Sequence, residues 1–498
     1  MKIKVISRNP NTYQRETVDK RNKIVRNFNT PADPFRAQTE YTRALNATKL
    51  ERVFAKPFVA SLDGHVDGVQ VLAKHPNRPS TVFSGARDGQ VKIWNLASRE
   101  CQATLDAHRG LVNDISVDNN NGENFVTVGQ DAQLKYWKIS SVVESQQKTP
   151  AHSIAIDGIV YGVSHLSFSS DFVTCGEDIS VWKPFRETPL RSYNLGTDTI
   201  HACRANPIEE NVIVGCRSDR SIFVLDTRQD VPLKKVTMKM RPNKVSWNPM
   251  EAYSFTVASE DFSPKSFKNC SGTAQKWFLV NFQLFGSNFE AISPKPPQKL
   301  LWNSLEMLQK TANLYTFDMR YMEHPVQSHQ GFTSAVLDVD YSPTGQEFVA
   351  AGYDRSIRLF KARDMTSRDV YYTKRMASVL SVLWSADSKF VLSGSNEMNI
   401  RVWKANAAEK LGPLTKREKQ AFAYNEKLRE TYKNHPDVRR IAKHRNVPRH
   451  IFTAAKEHKL IRDARARRDL RRAKAQGLDE EESYLPQTQK VMLGDAEM

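Results

Sequence analysis

A period of about 43 residues constrains this chain more than any other feature. Six segments end in an aromatic residue or leucine followed by a polar residue: Trp94-Asn95, Trp137-Lys138, Trp182-Lys183, Leu225-Asp226, Phe360-Lys361 and Trp403-Lys404. A seventh, Phe317-Asp318, falls one period before Phe360. The steps between them are 43, 45, 43, 92, 43 and 43 residues. Repeats of about 40–45 residues with such endings mark the blades of a β-propeller, each a four-stranded sheet that needs its neighbours to cover its faces. The repeats predict an all-β, seven-bladed ring over residues 57–404.

The first two repeats share an internal grammar. Repeat one carries Gly64-His65, Ser84-Gly85, Asp88-Gly89 and Val91-Lys92-Ile93-Trp94; repeat two carries Ala107-His108, Thr127, Asp131 and Leu134–Trp137. The histidine lies 29 residues before the tryptophan in both. Asp and Gly supply turn chemistry, and Val91 and Ile93 alternating with Lys92 read as a strand. His65, Ser84, Asp88 and Trp94, and likewise His108, Thr127, Asp131 and Trp137, resemble the hydrogen-bonded tetrad of WD-repeat blades. Such a network satisfies buried polar groups, so the histidines read as structural, not catalytic. Later repeats are degenerate: Asp219 and Asp354 precede Leu225 and Phe360 by six residues, Glu397 takes that place before Trp403, and Asp178 lies only four residues before Trp182.

A ring must close. The last repeat offers strands around Val379–Trp384, Phe390–Ser393 and Ile400–Trp403 but no outer strand; Phe58–Leu62 is predicted to supply it and so remove an exposed edge. The step of 92 residues falls inside blade five, whose first strands read as Val245–Pro249 and Phe255–Ala258 and whose third arrives only at Asn313–Phe317. Residues 262–312 between them lack blade grammar. Three readings stand: a disordered loop, translated non-coding sequence, or a folded binding insertion.

Net charge is +18, yet residues 404–474 hold 22 Lys and Arg against 8 Asp and Glu, so the tail carries the electrostatic footprint. It reads as helical. Thr415-Lys416-Arg417-Glu418 forms a capping box, Phe422, Leu428 and Tyr432 recur at helical intervals, and Pro436 closes the segment. A second helix is predicted over residues 437–445 and a third from Pro448 to Ala475, stopped by Gly477. The third carries Ile451, Phe452, Ala455, Leu460, Ile461 and Leu470 among its basic residues. Arg439, Arg440, Lys443, Arg445, Arg449, Arg462, Arg465, Arg467, Arg468, Arg471 and Arg472 are the candidates for contact with a phosphate backbone, against the plainer reading of a solvated face.

The N-terminal flank offers a helix starting at Asp33-Pro34 with Tyr41, Leu45, Leu50 and Phe54 on its apolar side, after a basic, extended stretch over residues 1–32. The organisation expected is an arm at 1–56, the propeller at 57–404, a basic helical domain at 405–477 and a flexible tail at 478–498. Five cysteines, at 101, 175, 203, 216 and 270, lack metal-ligand spacing and read as reduced thiols of an intracellular protein. The expectation is of no signal peptide and no transmembrane segment. With no phosphate loop, nucleophile constellation or metal cluster, the chain reads as a non-enzyme without cofactor, small-molecule substrate or membrane partner.

Three stretches together resemble one family. They are the run from Arg43 to Phe58 (R-A-L-N-A-T-K-L-E-R-V-F-A-K-P-F), the seven blades, and the tail from Leu414 to Ile461. Within the tail, Tyr424-Asn425-Glu426-Lys427-Leu428, His435-Pro436 and Arg440-Ile441-Ala442-Lys443-His444-Arg445 are more specific than any blade. The chain resembles the Sof family of nucleolar WD-repeat proteins over nearly its whole length, residues 262–312 and the last twenty excepted. The resemblance implies a non-catalytic component of the small-subunit processome, assembling with the U3 small nucleolar RNA on pre-rRNA and with other processome proteins to support 18S rRNA maturation in the nucleus and nucleolus. Animal members are similar to substrate receptors of cullin-based ubiquitin ligases, in which a W-D-x-R-like blade ending meets the ligase adaptor. Leu225-Asp226-Thr227-Arg228 and Phe317-Asp318-Met319-Arg320 would fill that role here.

Overall fold

The computed structural model describes residues 35–143, 148–260, 314–475 and 491–495. The segment 262–312, residues 1–34, Cys270 and Gly477 lie outside the described residues. The described residues fall into two compact units, one drawn from residues 60–403 and 447–498 and the other from residues 1–59 and 404–446.

The first unit contains seven antiparallel sheets, the blades. Blade one runs Val69–Lys74, Thr81–Ala86, Gln90–Asn95 and Glu100–Asp106. Its second strand is buried throughout, because both of its faces are covered, while the outer strand is largely exposed. Phe83 meets Phe125 of blade two at 5.0 Å between ring centroids, inside a buried cluster that also holds Val112, Ile115 and Trp137. The core is thus repeated between blades.

Blade five assembles from Arg241–Trp247, Ser254–Glu260, Leu314–Asp318 and Gln327–His329. Phe255 stands opposite Phe317 in register, so the strands on either side of the long step pair directly. Blade seven consists of Val379–Trp384, Phe390–Ser395, Asn399–Lys404 and, at its outer edge, Phe58–Asp63. The first strand of the ring therefore closes the last blade, as the spacing predicts.

A second set of bonds runs around the inner strands. Asp114 of blade two accepts from the Val163 N–H of blade three at 3.2 Å, and Ser116 accepts from His165 N–H at 3.1 Å. Ser164 of blade three accepts from Ala205 N–H of blade four at 3.1 Å. Asp338 and Asp340 of blade six accept from Val382 and Trp384 N–H of blade seven, both at 2.8 Å. Asn243 of blade five donates to Val336 O of blade six at 2.9 Å. Each bond satisfies an inner-edge backbone group that its own sheet leaves unpaired.

The other unit is helical. It holds α1 (Arg36–Val53) and, in the tail, the helices Lys416–Thr431 and Pro436–Lys443. Numbered in chain order after the one-turn helix α2 (Ile139–Val143) of the propeller, these tail helices are α3 and α4. Tyr41 Oη donates to Asp437 Oδ2 at 2.7 Å, and its ring lies 4.3 Å from that of His435. Arg43 donates to Tyr424 Oη at 3.2 Å, Arg52 donates to Ala442 O at 2.6 Å, and Glu51 pairs with Arg429.

The predicted apolar side of α1 holds only in part: Tyr41 and Leu45 are half-buried, and Tyr41 lies in the contact. Leu50 and Phe54 are exposed, and the buried residues are Ala44, Ala47 and Thr48. Small side chains let the facing helices approach closely, while polar bonds around the contact set the register. The capping box at Thr415 forms in full. Pro436 stands at the start of α4, where its missing N–H costs nothing, rather than merely ending α3.

Leu62, buried in the closing strand, tests the closure. Leu62→Ala is expected to lower the unfolding free energy by about 2–5 kcal/mol. Denaturant titration checks this; an unchanged midpoint would show that the ring does not depend on that strand.

Candidate functional site

Side-chain networks inside the blades tie the strands of a sheet to one another. In blade two the tetrad is complete. Trp137 Nε1 donates to Thr127 Oγ1 at 3.0 Å, Thr127 lies 2.9 Å from His108 Nε2, and His108 Nδ1 lies 2.8 Å from Asp131 Oδ1. An ionised Asp131 can only accept, so the neutral imidazole carries its proton on Nδ1 and accepts the Thr127 hydroxyl at Nε2. Burial pushes the Asp131 carboxyl up, but His108, the Arg109 N–H and Lys135 outweigh it and hold it below the usual range.

Blade one keeps only three of its four members. His65 Nε2 lies 2.6 Å from Ser84 Oγ, which also accepts from Trp94 Nε1 at 2.8 Å. Asp88 does not join them: its Oδ1 accepts the N–H of Gln90 at 2.9 Å and closes the turn, and His65 Nδ1 is buried without a partner. Burial and the neighbouring Lys92 lower His65 to about 4.

The degenerate blades replace the histidine. In blades six and seven an arginine four residues after the turn acid takes its place: Arg358 beside Asp354 at 3.6 Å, and Arg401 beside Glu397; in blade four Arg217, two residues before Asp219, pairs with it at 3.4 Å. His329, fully buried, forms a network that the dipeptide pattern misses. Its Nε2 lies 2.9 Å from Thr316 Oγ1 in blade five and its Nδ1 2.7 Å from Asp364 O in blade six.

The two candidate adaptor motifs end the third strands of adjacent blades. Asp226 accepts the N–H of Arg228 at 3.0 Å, and Asp318 accepts that of Arg320 at 2.9 Å, so both turns are closed the same way. Arg320 also binds Asp318 through two side-chain bonds of 3.1 and 2.8 Å and lies 4.6 Å over the Tyr253 ring. With the Asn211 amide oxygen turned toward it, Arg228 donates to that oxygen at 3.0 and 3.3 Å. Each arginine is held by its own blade yet exposed. Lys234 of blade four donates to Arg320 O at 2.7 Å, which places the two motifs on neighbouring parts of one face.

The basic residues divide between the units. On α4, Arg439, Arg440 and Lys443 are exposed; the half-buried Arg445 donates to Ala442 O at 2.7 Å and finishes that helix. The last long helix, α5, spans Arg449–Ala475 as the sequence predicts. Its Arg449, Arg462, Arg467, Arg468 and Arg471 are exposed, while the side chains of Arg465 and Arg472 lie outside the described residues. Arg462 reaches Gln330 Oε1 at 3.3 Å, and Arg467 donates to Asp463 O at 3.1 Å. Ile451 is buried, but Phe452, Leu460 and Leu470 are exposed.

Comparison with known proteins decides the family. Residues 405–492 match the Sof1-like domain, and residues 56–95, 99–138, 323–361 and 371–404 match the WD domain, G-beta repeat. The chain is 46% identical over 474 residues to DDB1- and CUL4-associated factor 13 of Xenopus tropicalis, covering 95% of both chains. It is 44% identical to the protein of the same name from Homo sapiens over 95% of its own length. It is 32% identical to Protein SOF1 of Saccharomyces cerevisiae over 99% of this chain and 95% of that one. The chain belongs to the Sof family of WD-repeat proteins. The first matched repeat of this Sof-family chain begins at residue 56 and so includes Phe58–Asp63, a strand of blade seven. Repeat and blade are offset by one strand, which interlocks the ring.

Burial holds His65, His165, His201 and His329 at about 4, against an ordinary 6.5. The unfolded chain therefore takes up protons first as pH falls. Stability is expected to be full above about 6.5 and to decline continuously toward 4. Denaturant midpoints at pH 7.5, 6 and 5 check this, and His329→Gln should flatten the decline.

Proposed function

We propose that this chain is a non-enzymatic scaffold of ribosome assembly. It works as a component of the small-subunit processome and its U3 particle, in the nucleolus, in support of 18S rRNA maturation. The observation that carries this reading is the set of exposed arginines on α5, within the segment that matches the Sof1-like domain. Arg467 and Arg471 lie one helical turn apart, and Arg468 lies between them in sequence, so cations crowd the last turns of a helix with few acids to neutralise them. Arginines in that arrangement suit the phosphates of RNA. The exposed Phe452, Leu460 and Leu470 supply apolar contacts to protein components of the particle.

Neutralising Arg465, Arg467, Arg468, Arg471 and Arg472 together is expected to weaken association with pre-rRNA particles without unfolding the propeller. The loss should be greatest at low salt. The slope of log affinity against log salt should flatten by roughly 0.7–0.9 for each phosphate contact removed. Crosslinking to pre-rRNA and sedimentation over a salt series measure both; an unaltered slope would reduce the segment to a solvated face.

A second role is favoured by the blade-end arginines. Relatives named DDB1- and CUL4-associated factor 13 support reading this chain also as a substrate receptor of a cullin-RING ubiquitin ligase. Arg320, held in a fixed fork by Asp318 yet more than half exposed, supplies a preorganised cation for a carboxylate of the adaptor. Arg228→Glu with Arg320→Glu is expected to reduce adaptor co-purification about tenfold or more while sedimentation with ribosomal precursors is retained. Equal recovery of adaptor with the double variant would exclude this contact.

A further inference from the structure

Blade four has a fifth strand. Among the described residues no other sheet does, and this one comes from the far end of the chain: Met492–Asp495 lies antiparallel beside the outer strand Lys234–Met238. Met238 faces Met492, Thr237 faces Gly494 and Val236 faces Asp495. The pairing is through the backbone. Lys239 N–H donates outward to Val491 O at 2.9 Å, whereas Met238 N–H turns inward to Arg220 O at 2.9 Å.

We infer that the outer edge of blade four is a strand-acceptor site, held in cis by the C-terminal segment and open to an extended peptide of a partner protein that displaces it. This goes beyond the scaffold reading and rests on separate residues. Three observations carry it. Main-chain bonds to a sheet edge tolerate many sequences, so affinity is not tied to one segment. Val491 and Met492 are only half-buried, against a cluster between blades four and five that includes Val236, Met238 and Met322. Methionine-rich surfaces repack around different apolar side chains. The register sets Asp495 opposite Val236, in a strand whose start is the basic pair Lys234 and Lys235.

The incoming peptide is thereby specified by chemistry. It is extended, carries two adjacent apolar residues, and has an acid about three residues after them. A four-residue strand is a weak ligand on its own, and tethering holds it in place through an effective concentration in the millimolar range. A partner that adds contacts elsewhere on the propeller overcomes that advantage.

The test uses a dye-labelled peptide of residues 488–498 and three chains: the full protein, a chain ending at Gln489, and full-length Met492→Asp. Anisotropy should show binding to the shortened chain and to Met492→Asp, and at least tenfold weaker binding to the full protein. A peptide carrying Val491→Asp and Met492→Asp should bind none of them. Equal binding to all three chains, or none to the shortened and substituted chains up to about 1 mM, overturns the proposal. So does a shortened chain that pairs with a second copy and ignores the peptide. If both altered chains lose the fold by circular dichroism, the segment is a structural strand and not an exchangeable one.

Discussion

The inner edge of every blade is the constraint on which the ring depends. A four-stranded sheet leaves the amides of its first strand unpaired, and in a propeller those amides face the crowded axis. Here side chains of the preceding blade answer them: Asp114 and Ser116 for blade three, Ser164 for blade four, Asp338 and Asp340 for blade seven. Apolar packing between blades is strong but permits sliding, whereas a carboxylate aimed at one N–H sets the position of the next strand. Burial has a cost, visible in Asp338, which is pushed up to about 6 despite the nearby Lys244 and Arg204.

The turn acids follow the same logic at the rim. An acid close to a buried strand needs a donor or a counter-charge. Blade two supplies a histidine for Asp131, and blades six and seven supply Arg358 and Arg401 for Asp354 and Glu397. Blade one leaves Asp88 at the turn and the His65 Nδ1 without a partner. The tetrad is one solution among several, so weak repeat signatures do not imply weak blades. Blade three retains only the indole bond, from Trp182 to Thr174 at 2.8 Å, and still forms a four-stranded sheet.

The candidate contact residues sit on rigid supports. Arg228 and Arg320 stand at strand ends, each braced by its own blade. The arginines of α5 project from a continuous helix of 27 residues. Fixed supports lower the entropy lost when a flexible cation is captured by a partner. The exposed apolar residues nearby are the part of the surface that water disfavours and a partner can cover.

Sequence by itself determined the blade number, the closing strand, the capping box and the bounds of α5, because each depends on local pattern: a fixed period, a two-residue alternation, or an acid three residues after a threonine. It also marked the basic residues, since charge needs no structure to be counted. Tertiary structure alone decided the rest. Ala44 and Thr48, not Leu50 and Phe54, form the buried side of α1, because the tail helices that meet it lie 381 to 396 residues away in sequence at the bonds that join them. His329 bridges blades five and six without a Gly-His signature, since Thr316 on the neighbouring strand and Asp364 in the next blade reach it only when strands pair and blades pack. The fifth strand of blade four is likewise invisible in the chain: Met492–Asp495 is too short to read as a strand, and only the unpaired edge of Lys234–Met238 makes it one. Local propensity acts along the chain, whereas burial and edge pairing act across it, and the second cannot be read from the first.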